Sequence, residues 1–414
     1  MVNVSIITIG DELLIGQVID SNSAWIAQEL NKVGIRVKRR VAVGDNREAI
    51  WNAIDDEFLV ADVLLLTGGL GPTADDITKP LLCEYFEGKL VRDEAAYKNV
   101  EYLFKEVFKR DFTDRNKKQA DVPDNCTVLQ NKRGTAPGML FRKNGKILVS
   151  MPGVPHEMQG MITGDVIPLL LSSFQPGTIQ HRTLLTFGIG ESMLADLIQD
   201  FEEQLPANIK LAYLPNFGMV RLRLTETIEQ EEASIIDERF EILQMLVKEY
   251  LVSNEDEPIE VVLGKLLQAA RKTISTAESC TGGLIAHLLS AKPGSSAFLK
   301  GAVVSYANDV KTGILNVNAA DLNQYGAVSE TTVLQMLRGV LAKLDTDYAI
   351  AVSGIMGPDG GSADKPVGTV WIAVGNKQTQ TAKQFQFRFD RQRNTQLTAV
   401  NALNMARQFI VDGN

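Results

Sequence analysis

Apolar and polar positions along the chain follow two alternating periods. Residues 4–9 form a short apolar run closed by Gly10, the pattern of a buried strand. After Asp20-Ser-Asn-Ser, a set of helix-capping residues, Ile26, Leu30 and Val33 recur at helical spacing until Gly34 stops the helix. Ile35, Val37, Val41 and Val43 then alternate with Arg36, Lys38 and Arg40, as on a half-exposed strand. Asp45, with Glu48 three residues on, predicts a capping box at the start of the next helix. Residues 63–66 are another buried strand. A β–α–β–α–β order of this kind predicts a mostly parallel sheet with helices on its faces.

From residue 178 the rhythm changes. Tyr213-Leu-Pro and the stretch 220–225 predict a small sheet, and 230–251 reads as a long helix with Ile235, Ile236, Phe240, Leu243 and Leu246 on its apolar face. Residues 253–258, Ser-Asn-Glu-Asp-Glu-Pro, read as a polar, acidic linker. A second α/β rhythm starts at Ile259, with a helix carrying Val262, Leu263, Leu266 and Leu267 and strands predicted at 273–277, 303–306, 348–353, 368–374 and 384–389. A last helix starts near Asp390 and buries Leu397, Val400, Leu403 and Ala406. The fold class expected is therefore α/β: two three-layer α/β domains, 1–170 and 255–414, joined by a small α+β connecting domain, 171–252.

Composition narrows the function classes. A chain of 414 residues is too long for one core. Its net charge of −9 disfavours a broad nucleic-acid surface, which needs a basic excess, while leaving room for a local phosphate pocket. Cys83, Cys126 and Cys280 have no paired spacing that suggests a disulfide framework or a zinc site, so a reducing cytoplasm is expected. The N-terminal stretch reads as a strand and not as a signal peptide. No apolar run reaches the roughly 18 residues of a membrane helix, so no membrane partner is expected.

Several strand ends carry glycine-rich loops. The stretch Thr67-Gly-Gly-Leu-Gly-Pro-Thr-Ala-Asp-Asp follows a buried strand, so Gly68, Gly69, Gly71 and Thr73 are candidates for backbone approach to a phosphate. Asp75 and Asp76 are oxygen ligands of the kind a divalent metal takes, and equally the caps of the next helix. Asp11 and Glu12, also at a strand end, face the same choice. Gly134-Thr135 and Pro152-Gly153 lie in two further loops, each a turn or part of one shared pocket.

In the C-terminal part, Glu278-Ser279-Cys280-Thr281-Gly282-Gly283 joins a strand to a helix. Ser279 there is either an exposed nucleophile near helix-start amides or a helix cap, and Cys280 is a rival nucleophile. His287 lies within the following helix and the other two histidines belong to other domains, so a Ser-His-Asp triad fits poorly. A lysine of lowered pKa is the alternative base, and Lys311, five residues past Tyr306, is the candidate. The loop 353–362, with Gly357, Asp359, Gly360 and Gly361, suggests a second ligand contact, and Arg391 or Arg393 could bind a phosphate bidentately.

Taken together these residues resemble the CinA family over essentially the whole chain. The matching motifs are Thr8-Ile-Gly-Asp-Glu-Leu-Leu, Thr67-Gly-Gly-Leu-Gly-Pro-Thr, Asp75-Asp-Ile-Thr, Glu278-Ser-Cys-Thr-Gly-Gly, Ser305-Tyr-Ala-Asn, Gly326-Ala-Val-Ser-Glu and Gly357-Pro-Asp-Gly-Gly. The resemblance implies a molybdopterin-binding fold in the N-terminal domain, with metal-dependent ADP-ribose pyrophosphatase activity. Mg, Mn or Co would be held by Asp11, Glu12, Asp75 and Asp76. For the C-terminal domain it implies metal-free deamidation of nicotinamide mononucleotide. Ser279, Tyr306 and Lys311 would be catalytic there, with Glu278, Thr281, Gly282, Gly283, Asn308, the 357–361 loop and Arg391 around the substrate. Phe389 stands before Asp390 where relatives carry glycine, and Met356 where they carry alanine. A cytoplasmic homodimer acting on small nucleotides, without direct nucleic-acid binding, is the expected setting. The alternative is a molybdopterin-binding or regulatory protein of competence and DNA damage without N-terminal catalysis.

Overall fold

The computed structural model describes residues 2–73, 75–174, 177–228 and 233–413. They fall into two compact units, Met1–Gln180 with Glu226–Ser234, and His181–Thr225 with Ile235–Asn414.

The first unit is built on a six-stranded sheet in the order Arg36–Val43, Asn3–Ile9, Val63–Thr67, Lys146–Met151, Gly138–Lys143, Thr127–Leu129. The first four strands are parallel and the last two are antiparallel. Neighbouring residues of one strand feed opposite faces, as the two-residue period of a strand requires. Ile6 packs with Ile26, Leu30 and Met158, while Ile7 packs with Ile50, Ile54 and Leu82. Helices therefore cover both sides, giving the expected three layers. The helix Ser21–Lys32 is capped by Asp20, whose carboxylate accepts from the Ser23 amide at 2.9 Å. The helix Arg47–Val60 corrects one expectation: Asn46, not Asp45, is its cap, accepting from the amides of Glu48 and Ala49.

Two further sheets lie largely in the second unit. The smaller has the order Ile209–Asn216, Met219–Ile228, Thr178–Phe187, Leu251–Ser253. The larger has the order Leu299–Val304, Ile274–Glu278, Tyr348–Gly354, Thr369–Gly375, Gln380–Gln386, with its first three strands parallel and its last two antiparallel. The helices Ile259–Ala270, Leu284–Ser290 and Arg391–Val411 cover one face, and Glu330–Leu344 covers the other. Leu185 and Met219 of the small sheet are buried in the same cluster as Leu263 and Leu403.

Residues 253–258 are tied down, not left as a free linker. Lys265 pairs with Glu255 at 2.5 Å and Glu257 at 2.6 Å, and Arg221 pairs with Asp256 at 3.2 Å. The helix expected over 230–251 is Ile236–Leu246, and residues 230–232 of that span lie outside the described residues. Among the described residues, no helix is long and apolar enough to cross a membrane.

Candidate functional site

Ile274–Glu278 is a central strand of the larger sheet and is buried throughout. Its last residue, Glu278, is 0% exposed. Five donors satisfy its carboxylate: the hydroxyls of Thr276 (3.0 Å) and Thr281 (2.7 Å), and the amides of Gly283 (3.0 Å), Ile285 (3.0 Å) and Ala286 (2.8 Å). Glu278 is thus a structural anchor, which corrects its expected place among the substrate contacts. It also takes three of the helix-start amides that the sequence offered for an oxyanion. Gly282 and Gly283 carry φ of +61° and +100°, values that L side chains rarely adopt, so the tight turn here requires glycine. Among the described residues the amides of Cys280 and Thr281 have no backbone acceptor, and that of Cys280 meets only its own thiol.

Ser279 follows and is 8% exposed. Its hydroxyl lies 3.1 Å from Lys311 Nζ. The same Nζ donates to the carbonyls of Ser305 at 2.7 Å and Tyr306 at 3.1 Å. Lys311 is 1% exposed, and its burial pushes its pKa below the ordinary lysine value. The sheet brings the two together, because Leu299–Val304 runs parallel to Ile274–Glu278 and pairs Val304 with Glu278. The Ser305 amide then donates to the Glu278 carbonyl at 2.7 Å. Burial pushes the Cys280 thiol up to about 12, so it is no competing nucleophile near neutral pH.

The Tyr306 phenol accepts from Arg391 at 2.9 Å, while its backbone carbonyl is what meets Lys311. Arg391 also donates to the Gly357 carbonyl at 2.8 Å, which ties the last helix to the glycine loop. Of the two candidate arginines, Arg391 is the one at the site; Arg393 stacks on the Phe389 ring at 4.2 Å. Asn308 opens the helix Asn308–Leu315 and is exposed, as are Asp359, Gly360 and Gly361. Gly361 has a packing reason, since an added Cβ would lie 2.9 Å from the Val367 amide nitrogen. Two contributors are not among the expected site residues: Ser305, which acts through its carbonyl, and Asn394. Asn394 is fully buried and donates to the carbonyls of Met356 and Phe389. Neither role leaves a compositional signal.

In the first unit, three parallel strands end side by side at Ile9, Thr67 and Met151. The Gly68 amide donates to Met151 O at 3.1 Å, and a Cβ on Gly68 would lie 2.3 Å from Ile9 O, so only glycine fits this crossing. Thr67 donates to Pro152 O at 2.8 Å, and Asn22, another residue not foreseen, donates to Gly153 O at 2.7 Å. A cavity of about 160 Å³ opens here, walled by Thr8, Glu12, Ile19, Asn22, Thr67 and Gly153. Gly69 packs against Thr78. Gly134 is buried against Glu157, with Thr135 half-buried beside it.

The four expected metal ligands divide. Asp76 clamps its own loop, accepting from the amides of Gly71 and Thr73, each at 2.8 Å, and from the Thr73 hydroxyl. Asp11 exchanges hydrogen bonds with Asp45 at 3.0 and 3.1 Å. The Asp45 carboxyl is raised by burial and then by the charges of Asp11, Glu12 and Asp75. A divalent cation would relieve that repulsion. The side chains do not converge on one point, however: among the described residues, no group of three or more His, Cys, Asp or Glu could hold an ion.

Comparison with known proteins gives the geometry a context. A CinA-like protein of Cytophaga hutchinsonii is 44% identical over 406 residues, covering 97% of each chain. This chain belongs to the CinA family. A CinA-like protein of Flavobacterium psychrophilum is 43% identical over 412 residues, covering 98% of this chain and 97% of its own. Three family models match in succession: "Probable molybdopterin binding domain" over 5–172, "Damage-inducible protein CinA KH domain" over 181–251 and "CinA C-terminal domain" over 256–410. A solved structure of a competence/damage inducible protein from Agrobacterium tumefaciens is 37% identical, covering 38% of this chain and 99% of its own, with a TM-score of 0.36.

Proposed function

We propose that the C-terminal domain hydrolyses the carboxamide of nicotinamide mononucleotide to nicotinate mononucleotide and ammonia. The observation that carries this reading is the surroundings of Lys311 Nζ: two backbone carbonyls and one serine hydroxyl. A neutral amine has two N–H donors and one lone pair. The two carbonyls take the donors, so the lone pair is left for the Ser279 proton. Ser279 Oγ attacks the carboxamide carbon while Lys311 accepts its proton. The amides of Cys280 and Thr281 are the donors left to steady the oxyanion. Lys311 then gives its proton to the departing nitrogen, ammonia leaves, and water activated by the same amine releases the acid. Among the described residues the Arg391 side chain bonds to a carbonyl and a phenol and pairs with no carboxylate, so its charge is open to the substrate phosphate. The test is ammonia release from a panel of pyridine nucleotides by the purified protein. Activity on none of them sinks the reading.

A second reading concerns the first unit, which we infer hydrolyses ADP-ribose at the strand-end cavity walled by Thr8, Glu12, Asn22, Thr67 and Gly153. Release of AMP from ADP-ribose by the purified protein tests it, and no release counts against it.

A further inference from the structure

Glu278 does more than occupy the end of a strand. Its side chain closes the start of the helix Leu284–Ser290 with three amide hydrogen bonds, and its carbonyl receives the Ser305 amide. The Ser305 carbonyl in turn holds Lys311 Nζ. Nucleophile turn and base are therefore hung on one residue. Burying a carboxylate is costly unless donors replace its water, and here five do so. Such a group fixes its surroundings, because every partner would be left unpaired by its movement.

We propose that Glu278 is a positioning residue for hydrolysis at Ser279. It holds the turn 279–281 in the geometry where the hydroxyl meets Lys311 and two amides stay open for the oxyanion. This rests on the deamidase reading above. By claiming the amides of Gly283, Ile285 and Ala286, the carboxylate also closes that helix start to substrate anions and leaves the phosphate to Arg391.

Glu278→Gln tests it. Glutamine keeps the shape but has one acceptor oxygen, and all five partners donate. Whichever way the amide turns, at least one backbone N–H loses its acceptor. The readout is labelling of Ser279 by a fluorophosphonate, which needs no substrate. The Oγ–P bond forms, the P–F bond breaks, the hydroxyl proton passes to Lys311 and fluoride leaves. Labelling rate and kcat per folded molecule should both fall about 100-fold, with KM shifted less than about threefold. Hydrogen exchange at the Ile285 and Ala286 amides should speed up. Faster exchange with labelling and kcat still within about threefold of native would make Glu278 a stability cap only and overturn the proposal. Should Glu278→Gln not fold, Thr281→Val removes one donor and leaves the charge. Its labelling should slow by at least about 10-fold, the worth of one hydrogen bond to a charged group, and an unchanged rate overturns the proposal. If native protein labels at Ser279 yet releases no ammonia, the substrate assignment has failed, and the labelling comparison still decides the positioning role.

Discussion

At the scale of the residue, the Ser279–Lys311 pair makes separable demands. Ser279→Ala removes the nucleophile and one hydrogen bond, so deamidation should fall by at least about 1,000-fold while the fold survives. If ammonia release stays near native, the serine is not the nucleophile. Lys311→Arg keeps a charge but cannot give up its proton near neutral pH. It should lose nearly all turnover and still bind nicotinamide mononucleotide in a calorimeter, whereas His287→Ala should be nearly silent. An active arginine variant would mean that Lys311 supplies charge alone. The sign of the pH dependence follows from burial, which disfavours the ammonium and lowers the pKa. In the proposed mechanism the neutral form acts, so kcat should be low at acid pH and rise to a plateau below the ordinary lysine value near 10.4. A rate that falls over that range would refute a lysine base. The residue types at this site were legible because serine at a strand end without a nearby histidine leaves few bases. The side-chain role of Glu278 was not. A carboxylate beside a nucleophile reads as a pocket residue, and only the fold shows that it faces inward with five donors around it.

At the scale of the element, periodicity located most strands and helices, and local hydrogen bonding moved their ends. Asp45 and Asn46 are both good caps, and sequence does not say which is free. Asp45 is engaged with Asp11, so Asn46 caps. The strand expected at 384–389 is Gln380–Gln386, which pairs with Thr369–Gly375. An edge strand's position is set by its neighbour, and its own pattern is weak. The capping assignment is testable. Asn46→Ala should cost about 1 kcal/mol in the stability of the first unit by urea unfolding. Asp45→Asn should cost less, because it also removes the repulsion from Asp11, Glu12 and Asp75. A larger loss for Asp45→Asn would show that the reciprocal bonds with Asp11 outweigh that repulsion.

At the scale of the whole molecule, the acidic stretch 253–258 suggested independent parts, and the packing qualifies that. Leu185 and Met219 sit in one core with Leu263 and Leu403, and Phe187, Phe217 and Val252 pack against it. Ser279, Lys311, Tyr306 and Arg391 all lie beyond residue 255, so a 255–414 fragment should keep deamidase activity. It should also melt below a 181–414 fragment, since losing two buried apolar side chains alone costs about 3–6 kcal/mol. Leu185→Ala in the longer fragment should cost about 2–5 kcal/mol. Equal melting temperatures for the two fragments would show that the small sheet adds nothing to the larger domain.

Lys311 has a further consequence, for reagents. An amine of lowered pKa is more reactive toward electrophiles than its neighbours at the same pH, but this one is almost sealed from solvent. Reactivity and reach are thus opposed, and the size of the reagent should decide the outcome. Bulky acylating agents should modify the exposed lysines and leave turnover intact. Cyanate, a linear triatomic ion, should slip past Ser279 and carbamoylate Lys311, silencing the enzyme. Peptide mass mapping after partial inactivation would locate the added group. Protein stored in aged urea, which generates cyanate, should accordingly lose deamidase activity before it loses its fold.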